Sequence, residues 1–266
     1  MKSFLIGFYC SLYNVFAKRV PATRTMPSDP MAAFAASFDA IWILTIPRNL
    51  QRQEFIRREL KGLPFEFFTG IDGQSLTRDD PRLDLEECER RNRRTVKTNE
   101  IACTLSHLVM YQRILDEGLQ KVLIFEDDAV FDTRKARWVS HILERLPEDW
   151  ELVYWGYRDG ELRGPWFELL EFFGKKRKPF PVVSRAVHQG LRTAAGHDFT
   201  HAYAITNEGA RKLLEDAYPV KQTADGHLEE YVLAGKLRAY AAVPKIFLQQ
   251  EDLGSSIHNR TGNQKS

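Results

Sequence analysis

The sequence predicts an α/β fold built on a mostly parallel sheet flanked by helices. The first observation is a strand–helix–strand unit packed into about thirty residues, the spacing of a βαβ crossover. It comprises the apolar run IWILTI (41–46), the helix pattern LQRQEFIRRELKG (50–62) closed by a glycine, and the apolar run FEFF (65–68) ahead of the turn TGIDG. The second is that apolar runs keep alternating with helical patterns further along the chain. Continuous apolar strands are the signature of strands covered on both faces.

Residues 78–97 (RDDPRLDLEECERRNRRTVK) are highly charged and read as a solvated loop and helix. A helix follows from about 99 to 117, with Thr98 as its N-cap, Gly118 at its end, and Ile101, Leu105, Leu108 and Leu115 on its buried face. KVLIF (121–125) is the next strand. Asp132 or Thr133 caps a further helix, which ends before Pro147, and LVYW (152–155) is again a strand. Residues 157–198 have no strong period, carry many turn formers and the basic run KKRK (175–178), and read as a mobile insertion. HAYAIT (201–206) is a strand, Asn207 caps the helix EGARKLLED, a shorter helix spans 225–234, and RAYAAV (238–243) is the last strand before an irregular polar tail. The organisation expected is a single catalytic domain over 40–257, preceded by a proline-containing linker (20–39) and followed by a flexible tail (258–266).

Composition narrows the functional classes. The chain has 266 residues, 43% hydrophobic and 28% charged, with a net charge of +2. That is enough apolar material for a sizeable core. No basic face or recognisable module points to nucleic acid. Three scattered cysteines, Cys10, Cys88 and Cys103, argue against a disulfide framework and fit a reducing compartment. FLIGFYCSLYNVFA (4–17) is uncharged and too short to span a bilayer as a helix. On a helical wheel Leu5, Phe8, Tyr9, Leu12 and Phe16 share one face, the pattern of a helix lying in a membrane surface (1–19). A signal peptide or an upstream extension are the other readings of this segment.

In α/β sheets ligands sit beyond the carboxyl ends of the strands, at a switch in strand order. Glu126, Asp127 and Asp128 occupy that position directly after KVLIF. Three adjacent carboxylates repel and raise one another's pKa, which folding alone does not ask for. A divalent cation relieves the repulsion, and Mg2+ or Mn2+ prefers such oxygen ligands. A helix entry, where acids are favoured by the dipole, accounts for one acid more readily than for three. The phosphate-loop, dinucleotide and nucleophile-elbow motifs are all missing from the sequence. Cys103 and His107 lie four apart on one helix, a spacing that suits a metal but lacks an obvious third ligand; a packed Cys and a hydrogen-bonded His is the other reading.

Several motifs together resemble glycosyltransferase family 25, which includes bacterial lipooligosaccharide galactosyltransferases and collagen galactosyltransferases. They are ILTIPRNLQRQEFIRR, FFTGIDG, NEIACTLSH, LIFEDDAV, WELVYWG, HAYAITNEGARKLL, TADGHL and QQEDLGSSI, in the family's order from about residue 40 to 257. The resemblance implies a GT-A fold with a Rossmann-like sheet. It implies inverting, metal-dependent transfer of galactose or glucose from a UDP-sugar to a saccharide or glycolipid hydroxyl in surface glycan assembly, at the cytoplasmic face of an inner membrane. Asp128 and Glu126 are then the expected Mn2+ or Mg2+ ligands, with Asp127 and Glu126 near the ribose or the metal's outer shell. Thr45, Arg48, Arg52, Asp72, Glu100, Ser106 and His107 become donor-binding candidates. Arg52 also reads as part of a solvated helix face, Asp72 as turn chemistry, and Glu100 as a first-turn acid. Asp225 is the first candidate for the base that takes the acceptor proton, with an N-cap as its other reading and His201 as a second base candidate. TADGHL departs from the family by lacking the usual proline and larger apolar residue before the acid. The rival classes are a metal-dependent phosphoesterase and a sugar-nucleotide-binding domain without activity.

Overall fold

The computed structural model of the chain describes residues 29–158, 184–195 and 197–250. The surface helix expected over 1–19, the KKRK run and the tail over 258–266 lie outside the described residues. The described strands are β1 (Ala40–Thr45), β2 (Glu66–Thr69), β3 (Lys121–Glu126), β4 (Ala129–Phe131), β5 (Leu152–Arg158), β6 (Ala186–His188), β7 (Leu191–Thr193), β8 (Asp198–Thr206), β9 (Ala239–Ala242) and β10 (Phe247–Gln249). The α-helices are α1 (Pro30–Ala35), α2 (Leu50–Glu59), α3 (Leu85–Asn92), α4 (Thr98–Asp116), α5 (Ala136–Leu143), α6 (Asn207–Glu215) and α7 (Ala224–Leu233).

Eight strands form one sheet in the order β2-β1-β3-β8-β5-β9-β7-β6. Strands β1, β2 and β3 are mutually parallel, β8 runs against both β3 and β5, and β9 is parallel to β5. The α/β class expected from the sequence is therefore present, with antiparallel β8 inserted between the parallel strands. Because β2 lies on one side of β1 and β3 on the other, the strand order switches at β1, and a crevice opens at the carboxyl ends of these strands.

The continuous apolar strands are explained by two cores. Trp42 and Leu44, Val122 and Ile124, Tyr203 and Ile205 face one side, against Ile101, Leu105 and Leu108 of α4 and Leu213 of α6. Ile41 and Ile43, Leu123 and Phe125, Ala202 and Ala204 face the other, against Ile56 of α2 and Trp138, Val139 and Ile142 of α5. Alternation within each strand thus supplies both faces, and there is no polar face to reveal the period.

Four expectations are corrected. The linker assigned to 20–39 contains α1: Asp29 caps it through Met31 and Ala32, Pro30 opens it, and Phe34 is fully buried, its ring edge-on to Trp155 at 4.8 Å. Proline is compatible with the first position of a helix, so the prolines of this segment do not by themselves mark a linker. The insertion assigned to 157–198 is structured at both ends. β5 runs on to Arg158, and β6 and β7 form a hairpin whose second strand pairs with β9. The tail after Pro244 forms β10, which pairs antiparallel with β4. Finally, two caps move by one residue: Lys97 holds the N-cap position of α4, and Thr206 caps α6 by accepting from the Gly209 amide at 3.1 Å.

Candidate active site

The three acids stand at the switch point. Glu126 is the last residue of β3, next to the end of β1, and Asp127 and Asp128 form the tight connection to β4. Asp127 and Asp128 are both buried. Arg52, on the first turn of α2, answers them: its Nε donates to Asp127 Oδ1 at 2.5 Å and its Nη2 to Asp128 Oδ2 at 2.6 Å. Thr45, closing β1, donates to Asp127 Oδ2 at 2.5 Å. The solvated-face reading of Arg52 is thereby set aside; its side chain is only slightly more exposed than the carboxylates it bridges.

Asp127 is fully committed and Asp128 is not. Oδ2 of Asp128 also accepts from Gln249 Nε2 at 3.1 Å, and its carbonyl accepts from the Gln250 amide at 2.8 Å, so β10 holds the acid in place. Its Oδ1 is buried without a hydrogen-bond partner among the described residues. A buried carboxylate oxygen left open is costly, and it suits a hard cation that takes oxygen ligands. One guanidinium against the two carboxylates of Asp127 and Asp128 leaves negative charge in excess, so the donor set fits a divalent ion. Glu126 is differently placed. One oxygen accepts from Thr200 Oγ1 at 2.6 Å, and burial, reinforced by the charge of Asp128, pushes its carboxyl up to about 8.

A cleft runs from these acids between β1, the 70–73 turn and α4, walled by Thr45, Arg52, Ile71, Cys103, Ser106 and Asp127 among others. The turn is built for closeness. A Cβ on Gly73 would sit 2.6 Å from the Cα of Asn99, and one on Gly70 would sit 2.9 Å from Leu44 Cδ1. Ser106 accepts from the Ile71 amide at 2.8 Å and donates to the Ala102 carbonyl at 2.6 Å. Its hydroxyl therefore ties the turn to α4 while forming part of the wall.

The remaining candidates separate. Arg48 and Asp72 pair with each other at the partly exposed rim, and Asp72 also accepts from the Gln74 amide at 2.9 Å. Glu100 turns away from the cleft. It accepts from the Lys97 amide at 3.0 Å and from both terminal nitrogens of Arg94, and so serves the start of α4. His107 is buried behind Cys103, its Nδ1 2.8 Å from the Tyr203 hydroxyl, and burial lowers its pKa to about 4. Asp225 lies in the first turn of α7 and is not its N-cap, a position held by Thr223. Its charge is felt by Cys103 and Arg94, which puts it on the α4 side of the cleft. His201, near the start of β8, feels Asp128. It fits only because residue 156 is glycine: a Cβ there would lie 2.5 Å from its Nε2.

Sequence reasoning missed Gln249, Thr200 and Gly156 as parts of this site. The first was visible within QQEDL and the last within WELVYWG; Thr200 carries no local signal. Among the described residues, no helix is long and apolar enough to cross a membrane.

A sheet whose strand order switches beside a buried acidic turn, with helices on both faces, defines a single GT-A-like α/β domain. Comparison with known proteins agrees. Residues 38–228 match the family model described as glycosyltransferase family 25 (LPS biosynthesis protein). A glycosyltransferase 25 family member of Aedes aegypti is 27% identical over 187 residues, 66% of this chain and 28% of that protein. Human procollagen galactosyltransferase 2 is 24% identical over 230 residues, 78% of this chain and 34% of that protein. Human inactive glycosyltransferase 25 family member 3 is 33% identical over 131 residues, 46% of this chain and 18% of that protein. The chain belongs to glycosyltransferase family 25. It spans about a third of the length of the first curated relatives it matches.

Proposed function

We propose that the protein is a metal-dependent hexosyltransferase that moves galactose or glucose from a UDP-sugar to a saccharide hydroxyl with inversion. The observation that carries this reading is the open, buried Oδ1 of Asp128 at the switch point, in an acid pair that Arg52 bridges without neutralising both charges. Asp128 would hold a Mn2+ or Mg2+ ion, which when bound would supply charge neutralisation of the UDP leaving group. Family membership and the name of the procollagen galactosyltransferase relative support the donor class.

The chain's own residues have distinct tasks in this reading. Arg52 and Thr45 fix the acidic turn so that one oxygen of Asp128 is left for an ion. Ser106 holds the 70–73 turn in place as a wall of the donor cleft, and Arg48 and Asp72 form its rim. Asp225, in the first turn of α7, takes the proton from the acceptor hydroxyl as it attacks, the role an inverting transfer demands of a base. For setting, we propose a glycolipid acceptor at the cytoplasmic face of the inner membrane, contacted through residues 4–17. That part of the reading rests on the sequence of the segment and on the family description, and flotation with anionic vesicles, with and without residues 1–19, tests it.

The decisive experiment is manganese-dependent release of UDP from a panel of UDP-sugars. Release with UDP-galactose or UDP-glucose, lost on Asp128→Ala, is expected; no binding of any UDP-sugar with manganese present would defeat the proposal. A second reading, a sugar-nucleotide-binding domain without turnover, is favoured by the 33% identity to a relative named inactive. It predicts UDP-sugar binding with no release of UDP.

A further inference from the structure

Cys103, His107 and Glu126 form a cluster that the transfer reading leaves unused. A ring nitrogen of His107, the sulfur of Cys103 and a carboxylate oxygen of Glu126 all lie within 4.8 Å of one another. The first two come from successive turns of α4, and the third from the end of β3 packed beneath it. The spacing of Cys103 and His107 alone is ambiguous; tertiary packing brings the third ligand.

Two further features point to a ligand. His107 is 2% exposed, and its Nε2 has no hydrogen-bond partner among the described residues. Its Nδ1 meets the Tyr203 hydroxyl at 2.8 Å, which in turn meets the Tyr111 hydroxyl at 2.9 Å. That chain of hydroxyls accommodates the tautomer with the proton on Nδ1, in which the Nε2 lone pair is open, the outer arrangement that usually accompanies a metal-bound histidine.

We propose that Cys103, His107 and Glu126 are the protein ligands of a zinc ion, bound through Sγ, Nε2 and a carboxylate oxygen, with a fourth position open to the cleft. A thiolate and an imidazole select a borderline-soft ion over magnesium or manganese. Zinc takes sulfur at about 2.3 Å, nitrogen at about 2.0–2.1 Å and oxygen at about 2.0–2.2 Å. Tetrahedral neighbours then stand about 3.3–3.8 Å apart, so the cluster needs to close by about 1 Å, within the reach of side-chain rotation. Cys103 and Glu126 both wall the cleft, so the open position faces it and takes water or an anionic oxygen of a bound ligand. Binding replaces the Cys103 thiol proton, and any proton on Glu126, with the ion; both protons leave to solvent, and the dication is balanced by one thiolate and one carboxylate. Burial and nearby acids keep Cys103 a thiol until then. Asp128 stays available to a harder cation, and Glu126, paired with it in the sequence reading, is reassigned.

The test uses the full chain stripped with a chelator, then titrated with zinc against a chromophoric competitor, and separately with cobalt. One equivalent of zinc should slow alkylation of Cys103, followed by peptide mass mapping, by at least ~10-fold, and cobalt should give a thiolate charge-transfer band. Cys103→Ser and His107→Gln should each abolish the band, and Tyr203→Phe should weaken zinc binding ~10-fold while leaving the band. An unchanged alkylation rate in saturating zinc would overturn the inference, and needs no variant to fold. So would cobalt binding without the band. Sugar transfer is not part of the test: zinc binding without UDP release leaves this inference standing, and UDP release without zinc binding ends it.

Discussion

Arg52 donates to Asp128 at 2.6 Å from a guanidinium whose Nε is already bonded to Asp127. One cation thus bridges two consecutive buried acids. Removing it leaves two carboxylates buried without a countercharge, which costs about 3–5 kcal/mol for a broken buried pair. Arg52→Ala is expected to lose stability on that scale in urea unfolding. Arg52→Lys should fall between, because an ammonium lacks the planar fork that serves both acids at once. An alanine variant as stable as the parent would show that the bridge is not what holds the turn.

Gly156 faces the ring of His201. An added Cβ would lie 2.5 Å from His201 Nε2 and 2.8 Å from the Phe247 carbonyl oxygen, and the latter belongs to backbone held in β10. Overpacking of this kind costs about 1–3 kcal/mol. Gly156→Ala should lower the melting temperature, and pairing it with His201→Ala should recover part of the loss; no recovery would place the clash at the backbone of residue 247.

Phe34 ties α1 to the second core through Trp155 and Phe247. A Phe→Ala change in a core costs about 3–5 kcal/mol, and Phe34→Ala should show a loss of that size. Truncation to residue 40 should be at least as harmful. If both are neutral, α1 is not part of the folding unit.

The pH dependence has two opposed arms. Burial lowers His107 and His201 to about 4 and His197 to about 3. Their folded pKa values lie below the ordinary 6.5, so the unfolded chain binds more protons in between, and the stability they contribute is lost as pH falls from 6.5 towards 4. Glu126 is shifted the other way, to about 8. Its contribution is complete below about 4.5 and is lost as pH rises to 8. Stability in metal-free buffer should therefore peak between about pH 6 and 7. Glu126→Gln should flatten the alkaline arm and leave the acid arm; an unchanged alkaline arm would contradict the assignment to Glu126.

Much of the fold was legible. Strands β1, β3 and β8 and helices α2, α4 and α7 fall within a few residues of their expected places, because long apolar runs and glycine stops are local signals. The errors share a cause. α1, the β6–β7 hairpin and β10 are short, and each is stabilised by partners far away in the chain, so none has a period long enough to read. The candidate site divides in the same way. Glu126, Asp127 and Asp128 stood out as a charge cluster against an apolar strand, while the work of Arg52 was hidden among the arginines that follow it in α2.

The sequence by itself determined the α/β class, the family and the position of the acids at a strand end, since all three follow from residue type and order along the chain. Tertiary structure alone decided which groups each acid meets. Arg52 arrives from one helix to hold Asp127 and one oxygen of Asp128, β10 returns to pin Asp128, and α4 lays Cys103 and His107 over Glu126. Charge and hydrogen bonding act through space over a few ångströms, and sequence distance carries no record of which groups will meet there.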